Sequence, residues 1–371
     1  MRGIAAVTVV VGHIRGLFFA DWANLPNQSR TPVVALLYFL TGLGRQAVMV
    51  FFVLSGFFIG WSVIGSMRSG RWSWPGYLVR RLTRLGIVLL PALLLTAFWD
   101  LAGIALFGAH SAYLGGRPGD AVLTFRVIDY LSPQVFLGNL FFLQGIDHIP
   151  TFGSNAPLWS LSYEFWYYML FPLMASVFVV HGPVRWAFAV VAGLILIFIG
   201  PSLAVYYLTW LLGVGIVLTA LMLGTRRRIL AAWAMAPASV IFGVGLVVGE
   251  RRLIWGADGF LAVACAIFLT AIIFQRSFAP WSTRLGQLYS TAARRLAGCS
   301  YTLYLVHLPI LIFLRAAFGR GGPWILNGGN LTLALIILLL VFGYALAVAS
   351  VTESHTDQLR QWVLRRIPSL A

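Results

Sequence analysis

Ten runs of apolar residues recur along this chain, at 3–20, 47–64, 85–107, 158–180, 185–200, 203–223, 229–248, 254–274, 301–314 and 331–350. Most are close to the roughly 20 residues that an α-helix needs to cross the hydrocarbon core of a bilayer. A shorter apolar piece at 32–40 could enter the bilayer without crossing it. Backbone N–H and C=O groups find no water in lipid, so they must bond within the segment, and helices are the expected form. Composition agrees. Hydrophobic residues make up 60% of the chain and charged residues 10%, where a soluble domain carries about one quarter charged residues. The chain is expected to be an all-α polytopic membrane protein of about ten transmembrane helices. A single membrane domain is expected to span 1–371, with no appended soluble domain.

The net charge of +16 would suggest nucleic acid in a soluble protein. In a membrane protein it reads as topology. All 26 basic residues are arginine. With both ends cytoplasmic, the inner segments hold Arg2, Arg68, Arg71, Arg80, Arg81, Arg84, Arg185, Arg226, Arg227, Arg228, Arg276, Arg284, Arg294, Arg295, Arg360, Arg365 and Arg366. That is seventeen against nine elsewhere, in keeping with the excess of positive charge on cytoplasmic loops. Most of these arginines therefore need no explanation beyond orientation, and no nucleic-acid partner is expected. The first apolar run could be mistaken for a signal peptide, but it carries His13 and Arg15 and lacks an A-x-A site, so it is expected to remain as a helix. Cys265 and Cys299 match neither a metal site nor a disulfide framework, and no Gly-rich phosphate loop is present. The stretch 108–157, rich in Gly, Pro, Asp and aromatics, is expected to be a structured outer loop.

Ionisable side chains inside membrane segments are costly and by default mark function. Arg2 and His13 are eleven residues apart, which puts them within about 20° of one helix face and sets His13 ~16 Å deeper, near mid-membrane. In "VMVFFVLSGFFIG", Ser55 and Gly56 are small residues at which another helix can approach closely. In "YLVRRLTRLGIVLLPALL", Arg80 and Arg84 share a face and Arg81 points elsewhere; planar guanidinium groups bind phosphate through paired hydrogen bonds, and lipid headgroups compete as an explanation. Glu164 lies in "APLWSLSYEFWYYMLFPL", where a carboxylate needs a proton or a partner; it could raise the basicity of a histidine or carry a proton itself, with a pair to an arginine of another helix as the alternative. In "GCSYTLYLVHLPILIF", Tyr301, Tyr304 and His307 fall three apart along one face.

Taken in order along the chain, these stretches resemble the integral-membrane acyltransferase family three, acyl-CoA-dependent O-acyltransferases of carbohydrates and other hydroxyl-bearing acceptors. The resemblance rests on the R-x10-H pattern in "RGIAAVTVVVGH", on "FFVLSGFFI", on "RRLTRLGIVLLPAL", on "NLFFLQ" followed by "LWSLSYEFWYYMLFP", and on "SYTLYLVHLPIL". It implies a ten-helix bundle with cytoplasmic termini, in which His13 is the residue most needed for acyl transfer and Arg2 supports it. It makes Arg80, Arg81 and Arg84 the basic cluster at the cytoplasmic mouth, and it matches Ser160, Glu164 and His307 to residues of the family pattern. Phe165 and Met49 stand where the family commonly has acidic residues; "SVTESHTDQLR" keeps Glu353 without the proline that often follows.

The expected reaction moves an acyl group, most often acetyl in that family, from cytosolic acyl-CoA to a hydroxyl of an extracytoplasmic or membrane-associated acceptor such as a surface glycan. Acyl-CoA is a co-substrate; no permanent cofactor and no metal is expected. The phosphates of CoA are expected on Arg80, Arg81 and Arg84. His13 would serve as base or nucleophile, with Arg2, Ser160 and Glu164 in support. Tyr301, Tyr304, His307 and Ser55 are the candidate substrate contacts, and Tyr113, Phe125, Tyr130 and Phe136 of the outer loop could stack on sugar rings. The expected location is a bacterial inner membrane. A transporter or flippase of a lipid-linked glycan or polar metabolite is the rival class, since intramembrane His and Glu also suit proton coupling.

Overall fold

The computed structural model describes residues 1–108, 113, 125–223, 227–274, 284–318 and 322–366. Among these the chain is all-helical, without a strand; a lone bridge joins Phe19 to Trp324. The helices are α1 (Arg2–Phe18), α2 (Pro32–Gly42), α3 (Gly44–Arg68), α4 (Trp74–Phe107), α5 (Pro133–Leu140), α6 (Trp159–Val179), α7 (Val184–Leu223), α8 (Arg227–Arg251), α9 (Ala257–Phe274), α10 (Arg284–Gly298), α11 (Ser300–Phe318), α12 (Gly328–Val351) and α13 (Thr356–Arg366). Seven helical stretches among the described residues are long and apolar enough to cross a membrane. Large side chains such as Ile197, Leu208 and Met222 on α7 and Leu339 on α12 stand exposed. Apolar surface on that scale suits lipid, not water, as the surrounding solvent.

Each apolar run read from the sequence falls on a helix. Runs 185–200 and 203–223 both lie in α7, whose 40 residues would extend about 60 Å if straight, twice the hydrocarbon core. The helix breaks where the sequence places its boundary: Gly200 takes φ 74° and ψ 174°, a conformation open to glycine, and Pro201 follows without an N–H to donate. Helix α4 is about 50 Å long by the same measure; its first turns carry Arg80, Arg81 and Arg84 ahead of the apolar run. Of the expected inner arginines, Arg226 and Arg276 lie outside the described residues, as does most of the loop segment 109–124.

The chain forms two compact units, each assembled from separated segments. The first comprises 1–44, 74–162 and 295–371, the second 45–73 and 163–294. In the first unit, α11 is the central helix: it packs against α1, α4 and α12, and α13 packs on α4. Its residues from Ser300 to Ile312 are buried except Tyr304. The loop after α4 is tied down from within this unit. Asp100, fully buried, accepts from Ser154 N at 2.7 Å and Ser154 Oγ at 2.6 Å. Asn139 donates to the carbonyls of Val135 and Pro150 and accepts from Phe152 N. Tyr113 is 2% exposed, with its hydroxyl on the Trp99 carbonyl. It packs inside the protein and has no face free for a sugar ring.

In the second unit, α8 packs along α9 and α7 against α9. Val50, Val53 and Leu54 of α3 join Ile216, Ala262, Cys265 and Leu269 in the core, so Cys265 is a packing residue. Ser55–Gly56 behaves as its small size predicts. A β-carbon on Gly56 would lie 1.9 Å from the Trp210 carbonyl oxygen, and one on Gly213 2.0 Å from that of Val53. Backbone meets backbone where α3 crosses α7.

Candidate functional site

The first unit brings together residues from three separate stretches. Arg2 opens α1, and His13 lies three turns on. Its Nδ1 is 2.8 Å from His307 Nε2 on α11, with ring centroids 5.0 Å apart and planes inclined by 31°. His307 is 0% exposed, whereas His13 is only partly buried. The other nitrogen of His307, Nδ1, lies 3.0 Å from the Leu303 carbonyl. A carbonyl oxygen only accepts, so His307 Nδ1 carries a proton. In a neutral pair His307 Nε2 then accepts, and His13 Nδ1–H donates to it. His13 Nε2 is left with its lone pair, on the imidazole that retains access. A hydrogen bond at one ring nitrogen thus sets what the other can do.

Hydroxyl groups stand beside the pair. The Tyr304 ring centroid is 6.1 Å from that of His307, and Tyr304 Oη is 2.8 Å from Ser160 Oγ at the start of α6. Ser160 also donates toward the Pro157 carbonyl at 3.3 Å. The local backbone explains how α6 is held here. Pro309 cannot donate to the carbonyl four residues back, Leu305; that oxygen accepts instead from Asn155 Nδ2 at 2.8 Å, and the same amide reaches Thr96 Oγ1 at 3.0 Å. The missing bond of α11 therefore anchors the segment that leads into Ser160. Gln144 adds a second tie, donating to the Leu158 carbonyl at 2.8 Å. Asn155 did not stand out in the sequence, and Gln144 entered only as the last residue of "NLFFLQ"; the proline two residues after His307 is the signal that could have pointed to a partner for Leu305.

One end of this unit is basic. Glu353, just after α12, accepts from Thr302 N at 3.1 Å and Thr302 Oγ1 at 2.8 Å, capping the first turn of α11. Arg84 and Arg2 both lie within electrostatic reach of Glu353. Arg80 is exposed and lies within reach of Arg81 and of Arg360 on α13. Arg81 stacks over Tyr77, 5.4 Å from its ring centroid, and it stays within electrostatic reach of Arg80 although the helix spacing sets it on another face. The start of α1, the first third of α4 and the start of α11 thus share this end of the unit, which gathers the arginines expected to meet phosphate.

Other expected residues have different surroundings. Tyr301 is buried, with its hydroxyl on the Leu85 carbonyl at 3.1 Å, and ties α11 to α4. His307 spends both ring nitrogens within the protein and turns toward His13, not toward open space. In the second unit Glu164 accepts from Tyr168, one turn along α6, and from Ser55 Oγ at 3.3 Å. Trp210 Nε1 donates to the same Ser55 oxygen at 3.2 Å. The arginine partner that its position suggested is replaced by hydroxyl groups, while Arg45 of this unit pairs with Asp258. Asp100, the other intramembrane acid, serves Ser154 as described above. No cluster of His, Cys, Asp and Glu suited to a metal ion occurs among the described residues.

Comparison with known proteins bears on this site. The family model of acyltransferase family three, described as an acyltransferase domain, matches residues 1–352. Acyltransferase MdmB of Streptomyces mycarofaciens is 35% identical over 176 residues, a match covering 47% of this chain. The matched part spans 37% of that relative's length. No solved structure matches the chain. The family match takes in every residue of the histidine pair, the Ser160–Tyr304 contact and the α4 arginines, and the chain belongs to the acyltransferase family three.

Proposed function

We propose that the protein is a membrane O-acyltransferase that moves an acyl group, acetyl in the first instance, from cytosolic acyl-CoA to a hydroxyl of an extracytoplasmic acceptor, a cell-surface glycan. The observation that carries this reading is the His13–His307 hydrogen bond, which leaves the accessible His13 Nε2 with a lone pair. Family membership and the acyltransferase named among its relatives support it. In this reading ten segments cross a bacterial inner membrane with both termini in the cytoplasm, α7 contributing two of them. The basic end faces the cytosol and receives the CoA phosphates on Arg80, Arg81 and Arg84, each guanidinium offering a planar fork to phosphate oxygens.

The chemistry asks little of the protein beyond position and a base. His13 Nε2 takes the proton of the acceptor hydroxyl as its oxygen attacks the thioester carbon; the C–S bond breaks, and the proton passes to the departing CoA thiolate. The same lone pair can instead attack the thioester first and hand the acyl group on from the imidazole. In either route His307 holds the ring in the reactive tautomer and orientation. Arg2 supports the site from the start of α1, and Tyr304 and Ser160 contribute hydroxyls at its edge. The test is transfer of label from radiolabelled acetyl-CoA in native membranes, which contain the acceptor. General acid–base groups contribute about 10²–10⁴-fold, so His13→Ala is expected to lose activity on that scale. Transfer at the wild-type rate by that variant ends the proposal.

A further inference from the structure

A groove between α1, α2 and α12 has no part in the chemistry above. It is a half-open cavity of 160 Å³ in the first unit, walled by Val11, Phe19, Leu37, Leu331, Leu335 and Leu338 among others. The side chains with polar groups in its lining are Arg15, Tyr38 and Thr41; Thr41 donates its hydroxyl to the Leu37 carbonyl at 2.7 Å, and Arg15 is the one cation among the lining residues. Arg15 is two residues from His13 but about 200° around α1, so groove and histidine occupy different faces of the helix. The Arg15 guanidinium lies over the Tyr38 ring, 5.4 Å from its centroid, and its Nε is buried without a hydrogen-bond partner. Tyr38 donates its hydroxyl to the Ala20 carbonyl at 2.7 Å, and Arg15 Nε makes no hydrogen bond to the phenol oxygen. Asp21 reaches the same tyrosine electrostatically but forms no ion pair with Arg15.

The location adds to the argument. Arg15 is about 20 Å along α1 from Arg2, away from the basic end and next to a collar of rings: Phe18 and Phe19 on Trp324, and Trp22 on Tyr38. Aromatic residues gather at the level of lipid headgroups. A guanidinium at that level needs an anion, and an apolar channel in a lipid-facing wall needs a hydrocarbon chain. One molecule supplies both. We propose that this groove binds a phospholipid, with one acyl chain along the α1–α12 wall and the headgroup phosphate on Arg15, and that it favours an anionic headgroup. The proposal is independent of acyl transfer.

Purified protein incubated with equal amounts of phosphatidylglycerol and phosphatidylcholine, then examined by native mass spectrometry, tests it. A juxtamembrane basic residue contributes on the order of 1 kcal/mol toward anionic lipid, so wild type is expected to retain phosphatidylglycerol about five-fold over phosphatidylcholine. Arg15→Gln is expected to bring that ratio close to one, and Arg15→Lys, which keeps the charge, to preserve most of it. Ala334→Phe, which narrows the channel, is expected to lower retention of both lipids. A wild-type protein without headgroup preference, an unchanged ratio in Arg15→Gln, or full lipid retention in Ala334→Phe each overturns the proposal. Should Arg15→Gln fail to fold by size-exclusion chromatography, Arg15→Lys and Ala334→Phe still decide it.

Discussion

Replacing His307 tests the reasoning about the histidine pair more sharply than replacing His13. His307→Leu fills similar space but removes the acceptor of His13 Nδ1–H, a bond of 2.8 Å on the buried side of the ring. Leaving one donor unsatisfied in such a place costs about 1–3 kcal/mol. If that cost appears in the orientation and tautomer of the base, the rate falls by about 5- to 150-fold at 1.4 kcal/mol per factor of ten. His307→Gln offers an amide oxygen to the same N–H and is expected to recover part of the loss. His13→Ala removes the base itself and is expected to fall further. The predicted order is therefore wild type, His307→Gln, His307→Leu, His13→Ala, read as label transferred from acetyl-CoA in native membranes at matched protein levels. Wild-type rates in His307→Leu would refute the argument, because the hydrogen bond would then do nothing for the reaction. A loss in His307→Leu equal to that in His13→Ala would also refute it, since His307 would then take a direct part in the chemistry.

Two further expectations concern the helices that hold the site and the second unit. Gly56→Ala and Gly213→Ala each place a β-carbon within about 2 Å of a carbonyl oxygen on the facing helix, and overpacking costs typically ~1–3 kcal/mol; thermal unfolding in detergent should shift clearly downward for both, and an unchanged midpoint would contradict the α3–α7 crossing. Glu353→Ala removes the acceptor for Thr302 N and Oγ1 and should cost about 0.5–2 kcal/mol as a lost helix cap. Glu353→Gln, which keeps an acceptor, should recover most of that stability, and equal unfolding midpoints for wild type and both variants would dismiss the cap.

Much of the second-order detail was legible in particular residues. Gly200–Pro201 marks the break within α7 because one residue tolerates positive φ and the next cannot donate. Ser55–Gly56 marks a close crossing because only a hydrogen stands between two backbones. The partners of Glu164 were not legible, since hydroxyls of Ser55 and Tyr168 satisfy a carboxylate as well as an arginine does, and nothing local distinguishes them. Tyr301 and Tyr304 are alike in sequence, three apart on one helix. Packing alone makes the first a buried tie to Leu85 and leaves the second beside His307.

By itself the sequence determined that the chain is helical and lives in lipid, because an apolar run deprived of water has no other way to satisfy its backbone, and local hydropathy carries that information. It also singled out His13, since a lone ionisable ring in such a run stands out against its neighbours. Only the tertiary structure decided that His13 faces His307, 294 residues away, and that Leu303 sets the protonation of the pair. Such a contact depends on which face of α11 meets which face of α1, a choice made by the summed packing of several helices and written in no single stretch of residues.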